Sequence, residues 1–226
     1  MRRLIFVLIV GVAGLAVLLS LGAWQMQRMA WKQNILDTIE SRVAAEPVAL
    51  PIHPDPVADK YRPVRLIGEM ASGELHVLVS MPMLGPGYRM IVPFVTDDGR
   101  RILVDRGFIR TVDKESARYA GQVEFLGNLH WPDETDGYTP PADTVKNIWY
   151  ARDVEAMAAA LKTLPIMVVL SDHPINGSSV IPMPIDTASI PNNHLQYAIT
   201  WFSLAFLWAA MTAYFLWRSR QNRELT

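Results

Sequence analysis

The sequence predicts an α+β protein in which two transmembrane helices, one near each end, anchor a mainly antiparallel β-sheet soluble domain with one or two helices of its own. Three observations predict it. Both ends of the 226 residues are far more apolar than the middle. The middle breaks into short runs rich in β-branched and aromatic residues, bounded by turn formers. Those runs follow one another with only one clear helical stretch among them, which suits an α+β order.

The first apolar run, residues 4–24, is uncharged, with Ser20 as its polar exception. The second, residues 195–217, is also uncharged and is clearest from Tyr197 to Trp217. A bilayer core of ~30 Å needs about 20 helical residues, so each run can span it. In lipid the backbone must satisfy its own hydrogen bonds, which makes both runs helices. Arg2 and Arg3 precede the first span, and Arg218, Arg220 and Arg223 follow the second. The positive-inside rule therefore makes residues 1–3 and 218–226 cytoplasmic tails and residues 25–194 a periplasmic domain. Arg28 and Lys32 weaken the bias across span one, but long loops translocate largely regardless of charge. A cleaved signal peptide is the competing reading. It lacks an Ala-x-Ala-like site, the apolar run exceeds an ordinary signal core, and no Cys is present for lipid attachment. The neighbours of Arg2-Arg3 do not fit a twin-arginine signal.

The two spans are expected to touch. Gly11, Gly14, Leu18 and Gly22 fall on one stripe of span one. Span two carries His194, Tyr197, Trp201, Leu204, Trp208, Met211 and Phe215 at spacings of three and four, a bulky seam. Small residues permit close approach in membranes, so large-into-small packing follows. The first helix is expected to continue past Trp24 towards Arg42.

In the middle, Tyr61–Met70 and His76–Val79 read as strands, as do Val123–Leu129 and Ile166–Leu170. Arg89–Thr96 and Arg101–Ile109 flank Asp98-Gly99, a pair suited to a hairpin turn. Asp153 is placed to cap a helix running through Ala160 or Lys162, rich in good helix formers. Two Pro-rich stretches read as loops: Pro132–Lys146, and the run from His173 through Pro182, Pro184 and Pro191.

Composition excludes several chemistries. With no Cys there are no disulfides, Cys-ligated zinc, iron–sulfur clusters or Cys nucleophile. A net charge of −1 and the lack of a basic stripe argue against nucleic acid as a partner. No Gly-rich phosphate loop or Gly-x-Ser-x-Gly elbow occurs, and no catalytic residues are assigned. His53, His76, His130 and His173 stand alone and read as loop or surface histidines. Met81-Pro82-Met83 offers a thioether pair, a weak motif for cuprous ion. Asp105-Arg106-Gly107, at the end of a predicted strand, reads as a turn with a local ion pair.

His194 differs. It starts span two behind Asn192-Asn193, which are good helix-capping residues. Neutral imidazole, which the positive end of a helix dipole favours, is the form that binds metals and haem iron. The aromatic seam beginning here offers a flat apolar wall to a macrocycle; equally, His194 reads as an interfacial polar residue and the rings as helix packing. Span one holds no second His, so a haem here is five-coordinate or takes its sixth ligand from elsewhere.

Four stretches combine into a resemblance. They are Gly22-Ala23-Trp24-Gln25 with Arg28 and Trp31-Lys32; Tyr61-Arg62-Pro63-Val64 with Gly68; Ile102-Leu103-Val104-Asp105-Arg106-Gly107; and Asn192-Asn193-His194-Leu195-Gln196-Tyr197 with Thr200-Trp201-Phe202. In this order they resemble the Surfeit locus (Shy-type) family of cytochrome c oxidase assembly proteins, across nearly the whole chain. After Arg106-Gly107 the chain reads Phe108-Ile109-Arg110, where the family often has Trp and then Pro.

The resemblance implies a non-enzymatic role in maturing the catalytic subunit of a haem–copper oxidase, alongside other oxidase assembly factors and within membrane lipid. It implies haem a as the bound group and His194 as its iron ligand, with Tyr197 and Trp201 beside it. Trp24, Gln25 and Arg28 match the first-span motif. Arg28 is placed either to pair with a haem propionate or to anchor at the membrane surface. The absence of an Arg- and Ser-rich transit segment points to a bacterial inner (plasma) membrane. A cofactor-free scaffold gripping the nascent subunit is the alternative; a membrane-bound hydrolase or sensor lacks a nucleophile and a signalling output.

Overall fold

The computed structural model describes residues 2–116, 121–172, 179–188 and 190–224; the predicted loop residue His173 lies outside them. Helices and strands follow in the order α1 (Arg2–Val43), β1 (Val48–Ala49), β2 (Pro63–Met70), β3 (Leu75–Met81), β4 (Gly85–Thr96), β5 (Arg101–Arg110), β6 (Gly121–Leu129), α2 (Val154–Leu161), β7 (Met167–Leu170) and α3 (His194–Glu224). The chain divides into two compact units: Met1–Thr38 with Thr187–Thr226, and Ile39–Asp186.

The first unit is the pair of long helices. Both α1 and α3 are long and apolar enough to cross a bilayer, so this is a membrane protein. At 42 residues α1 is about 63 Å long, well beyond a ~30 Å hydrocarbon core. The hydroxyls of Ser20 and Thr200 donate to the carbonyls of Ala16 and Gln196 on their own helices, which spares them from lipid.

Helix contact uses the predicted glycines. A Cβ built on Gly14 would meet the Trp208 indole, one on Gly22 the Phe202 ring, and one on Gly11 the Thr212 side chain. Trp208 Nε1 donates to the Gly11 carbonyl at 2.9 Å, across a backbone no side chain shields. The seam on α3, however, departs from expectation. Ala198 and Ala205 are its most buried residues, with Trp201 and Trp208 partly buried on the same stripe. Tyr197, Leu204, Met211 and Phe215 are exposed. A stripe repeating every seven residues through His194, Ala198, Trp201, Ala205, Trp208 and Thr212 faces α1. Small residues therefore occur on both helices, which brings the backbones closer than a purely bulky seam allows.

The second unit is a seven-stranded sheet in the order β1-β2-β6-β7-β5-β4-β3, with β2 also pairing β4. That extra pairing closes the ladder through β2, β6, β7, β5 and β4 into a ring. Pairing is mostly antiparallel, as expected, but β1–β2 and β5–β7 are parallel. Closure needs Gly68, which opposes Thr96: a Cβ there would sit 2.1 Å from the Val95 carbonyl oxygen. Alternate residues point inward as the pleat requires. Val64, Leu66 and Met70 of β2, Met90, Val92 and Phe94 of β4, Ile102 and Val104 of β5, and Val168 and Leu170 of β7 form the inner core. On the outer face Ile91, Leu103 and Met167 pack beneath Val154, Met157 and Ala158 of α2.

The expected helix cap is present: Asp153 accepts from the Ala156 N–H, and α2 ends at Lys162 in the left-handed conformation. Thr96 N–H donates to Arg100 O across the Asp98-Gly99 hairpin, with Gly99 at φ +84°. Strand β2 begins at Pro63 and not at Tyr61, because Tyr61 has φ +73°, outside the strand region.

Asp105-Arg106-Gly107 is not a strand-ending turn with a local ion pair. It lies inside β5 as a bulge: Met90 opposes Gly107 and Ile91 opposes Asp105, so Arg106 is the additional residue. The bulge shifts the inward parity from Ile102 and Val104 to Ile109. Gly107, at φ +108°, leaves no room for a Cβ against the Ile181 carbonyl. His76 is likewise no loop or surface residue. It is buried on β3, with Nε2 2.9 Å from Glu74 Oε1.

Candidate functional site

Helix α3 begins at His194. The Asn193 carbonyl accepts from the Tyr197 N–H, which makes Asn193 the first residue of the cap. Asn192 instead directs its amide towards Gln33 Oε1 on α1, at 3.5 Å. Its own Oδ1 is buried with no partner among the described residues. Lys32 Nζ, also on α1, donates to the Pro191 carbonyl at 2.5 Å. The approach to α3 is thus tied to one side of α1.

Within that frame His194 Nδ1 lies 2.8 Å from Gln25 Oε1. An amide oxygen only accepts, so Nδ1 is the donor, and in the neutral ring it carries the one proton. The lone pair is then on Nε2, the arrangement found in histidines that ligate metals. Gln25, Arg28 and Lys32 share a stripe of α1 at spacings of three and four. Trp24, Arg28 and Trp31 share the neighbouring stripe, and the Arg28 guanidinium stacks on the Trp31 ring at 4.1 Å.

The structure brings some of the predicted residues together and separates others. Trp201 lies on the stripe of His194, two turns along and partly buried. Tyr197 turns away and is 57% exposed; Trp24 is 53% exposed, on the outer side of α1. Arg28 is exposed. His194, with one ring nitrogen already engaged, has the chemistry of a haem ligand, and Trp201 is the predicted ring that shares its stripe. Sequence reasoning singled out His194 but missed what Gln25 does, although Gln25 stood in the quoted motif.

A family profile described as the SURF1 family matches residues 12–206, which takes in most of α1, the sheet, the first part of α3 and the His194–Gln25 pair. The chain belongs to the SURF1 family. It is 31% identical to Surfeit locus protein 1 of Homo sapiens over 227 residues, covering 88% of this chain and 72% of the relative. Against the protein of the same name from Xenopus tropicalis it is 31% identical over 233 residues, covering 91% and 73%. The SURF1-like protein of Rickettsia prowazekii (strain Madrid E) is 29% identical over 218 residues, covering 91% and 87%. SURF1-family proteins are known as cytochrome oxidase assembly factors.

This SURF1-family chain carries a second dense polar cluster, on the outer face of the sheet. Asp105 is fully buried beside the bulge, and its Oδ1 accepts from the Gly107 N–H at 3.0 Å. Its Oδ2 lies 2.8 Å from Arg89 Nε, an ion pair whose angle falls short of a hydrogen bond. The same oxygen accepts from Arg152 Nη1 at 3.1 Å. Arg152 also binds Glu134 through its backbone N–H at 3.0 Å and Nε at 3.1 Å. Arg89 Nη2 donates to the Met183 carbonyl at 2.7 Å, which ties that segment to β4.

Burial pushes the Arg89 pKa down, against the pull of Asp105. Burial opposes the charge on Arg152 too, but Glu134 and Asp105 outweigh it and its pKa is raised. Glu134 resists burial through its hydrogen bonds to Arg152, and its pKa is lowered. His130 is pushed down to about 3, by burial first and then by the positive charges of Arg152 and Lys60. The cluster pins the loop carrying Glu134 and Arg152 to the bulge, which reads as architecture.

Met83, of the thioether pair, sits at the β3–β4 turn with φ +66° and its side chain fully exposed. No group of three His, Cys, Asp or Glu among the described residues is placed to hold a metal.

Proposed function

We propose that this chain is a membrane-bound assembly factor for a haem–copper cytochrome oxidase, and that it receives haem a at His194 and passes it to the nascent catalytic subunit. Family membership supports the oxidase connection. The observation that carries the haem reading is the His194–Gln25 hydrogen bond, which in the neutral ring leaves Nε2 as the nitrogen with the free lone pair.

In this reading His194 Nε2 would hold the iron, and Arg28 would pair with a propionate as Arg pairs with carboxylates. Trp201, on the stripe of His194, would supply aromatic surface to the macrocycle, whereas Tyr197 and Trp24 face away from that stripe. The iron porphyrin is cargo, and the chain does no covalent chemistry of its own. One protein ligand holds a haem less firmly than two, which suits handover. The catalytic subunit and other assembly factors are the expected partners, in a bacterial inner membrane with the sheet unit periplasmic.

The deciding experiment is the visible spectrum of the full-length chain, purified from cells that make haem a, beside His194→Ala. A Soret band carrying haem a in the wild type and lost in the variant supports the reading. Haem-free protein in both cases rejects it and leaves a scaffold that grips the subunit through protein contacts.

A further inference from the structure

We infer that Gln25 is a positioning residue for the haem ligand: it fixes the tautomer and orientation of His194 so that Nε2 is held ready for iron before any haem arrives. This rests on the reading of His194 as the ligand and adds a role for a residue on the other helix.

The argument starts from the ring. A free imidazole places its proton on either nitrogen and turns about its side-chain bonds. Both freedoms must be removed before one nitrogen can serve as a ligand. Gln25 Oε1 removes both by accepting from Nδ1 at 2.8 Å. Metal-binding histidines commonly donate their second N–H to a carbonyl or carboxylate, which sets the tautomer, orients the ring and raises the basicity of the ligating nitrogen.

The support around the pair is firm. Lys32 and Gln33, two turns further along α1, hold Pro191 and Asn192 just before the ring. Gly22, one turn before Gln25, packs against Phe202 on α3. Contacts on both sides of Gln25 therefore fix the separation of the helices at the level of His194. The ligand and its orienting group come from different helices, so the iron site is complete only when α1 and α3 are paired.

Gln25→Leu, Gln25→Glu and His194→Ala test the inference in the full-length chain in detergent, with two readouts. The first needs no haem. ¹⁵N-histidine spectra report the ring tautomer, with His194 assigned by its loss in His194→Ala. The wild type is expected to be the Nδ1–H tautomer, and Gln25→Leu is expected to lose that preference. The second is titration with haem b, the available iron porphyrin.

In that titration Gln25→Leu is expected to weaken binding by about 10–100-fold. Gln25→Glu, a stronger acceptor, is expected to keep the affinity and move the reduction midpoint to lower potential. A purely packing role for Gln25 predicts no such shift. If the wild type binds haem through His194 while both Gln25 variants match it in tautomer, affinity and midpoint, the Gln25 role is overturned and the ligand stands. If the wild type binds no haem, or His194→Ala binds equally well, the ligand reading and this inference fall together.

Discussion

Asp105 and Arg152 are 47 residues apart in sequence and 3.1 Å apart in space, and Arg89 meets the same carboxylate oxygen from the neighbouring strand. One fully buried acid thus neutralises parts of two buried bases and links β4, β5 and the segment before α2. Removing it leaves Arg89 without its ion-pair partner and Arg152 with Glu134 alone in a poorly hydrated place, the costly way to break a buried pair.

Asp105→Asn is therefore expected to lower the stability of the sheet unit by about 3–5 kcal/mol. Urea unfolding of the full chain in detergent, followed by tryptophan fluorescence, measures it. Adding Arg152→Gln is expected to recover part of the loss, because the two residues share one network. Strict additivity of the two substitutions would show that the pair is not coupled.

Helix contact can be tested covalently, since the chain has no Cys of its own. A Cβ built on Gly11 lies 3.3 Å from Thr212 Cβ, close to the ~3.5–4.5 Å separation of disulfide-bonded cysteines. Gly11→Cys with Thr212→Cys is expected to oxidise to an intrachain disulfide, seen as a mobility shift lost on reduction. Leu8→Cys with Thr212→Cys, starting from an exposed position on α1, is expected to stay reduced. Equal cross-linking in both would reject the packing face.

His130 makes stability depend on pH. An unfolded histidine takes up a proton near pH 6.5, whereas folded His130 does so only at about 3. Between those values the unfolded state binds more protons, so stability drains away as pH falls through that window. The slope from this one group is at most about 1.4 kcal/mol per pH unit. His130→Gln is expected to flatten the fall in urea midpoint between about pH 7 and pH 5. An unchanged slope would mean that His130 takes up its proton in the folded state as readily as in the unfolded one.

Orientation in the membrane is accessible to the same cysteine-free background. Met83→Cys, at a fully exposed turn of the sheet unit, is expected to react with a membrane-impermeant maleimide in intact cells. Gln221→Cys, exposed near the end of α3, is expected to react only after lysis. The reverse pattern would invert the topology argued from Arg2, Arg3, Arg218, Arg220 and Arg223.

The sequence by itself determined the features that depend on neighbouring residues. Uncharged apolar runs marked both long helices, runs of β-branched and aromatic residues between turn formers located the strands from β2 to β7, and Asp153 announced the start of α2. The two-residue strand β1 is too short to carry a pattern. His194 was legible as a ligand candidate because its place at a helix start is a local fact. Its partner was not: Gln25 is 169 residues away, and only the pairing of α1 with α3 brings the two into contact. The packed face of α3 was ambiguous for a related reason. When every side of a helix is apolar, periodicity cannot tell the Ala198–Ala205 stripe from the adjacent Tyr197–Leu204 one, and close approach of the partner helix decides. Closure of the sheet at Gly68, the bulge at Arg106 and the Asp105–Arg152 pair were likewise decided in three dimensions. Each is a contact between distant segments, fixed by steric fit and buried charge that no local pattern of residues records.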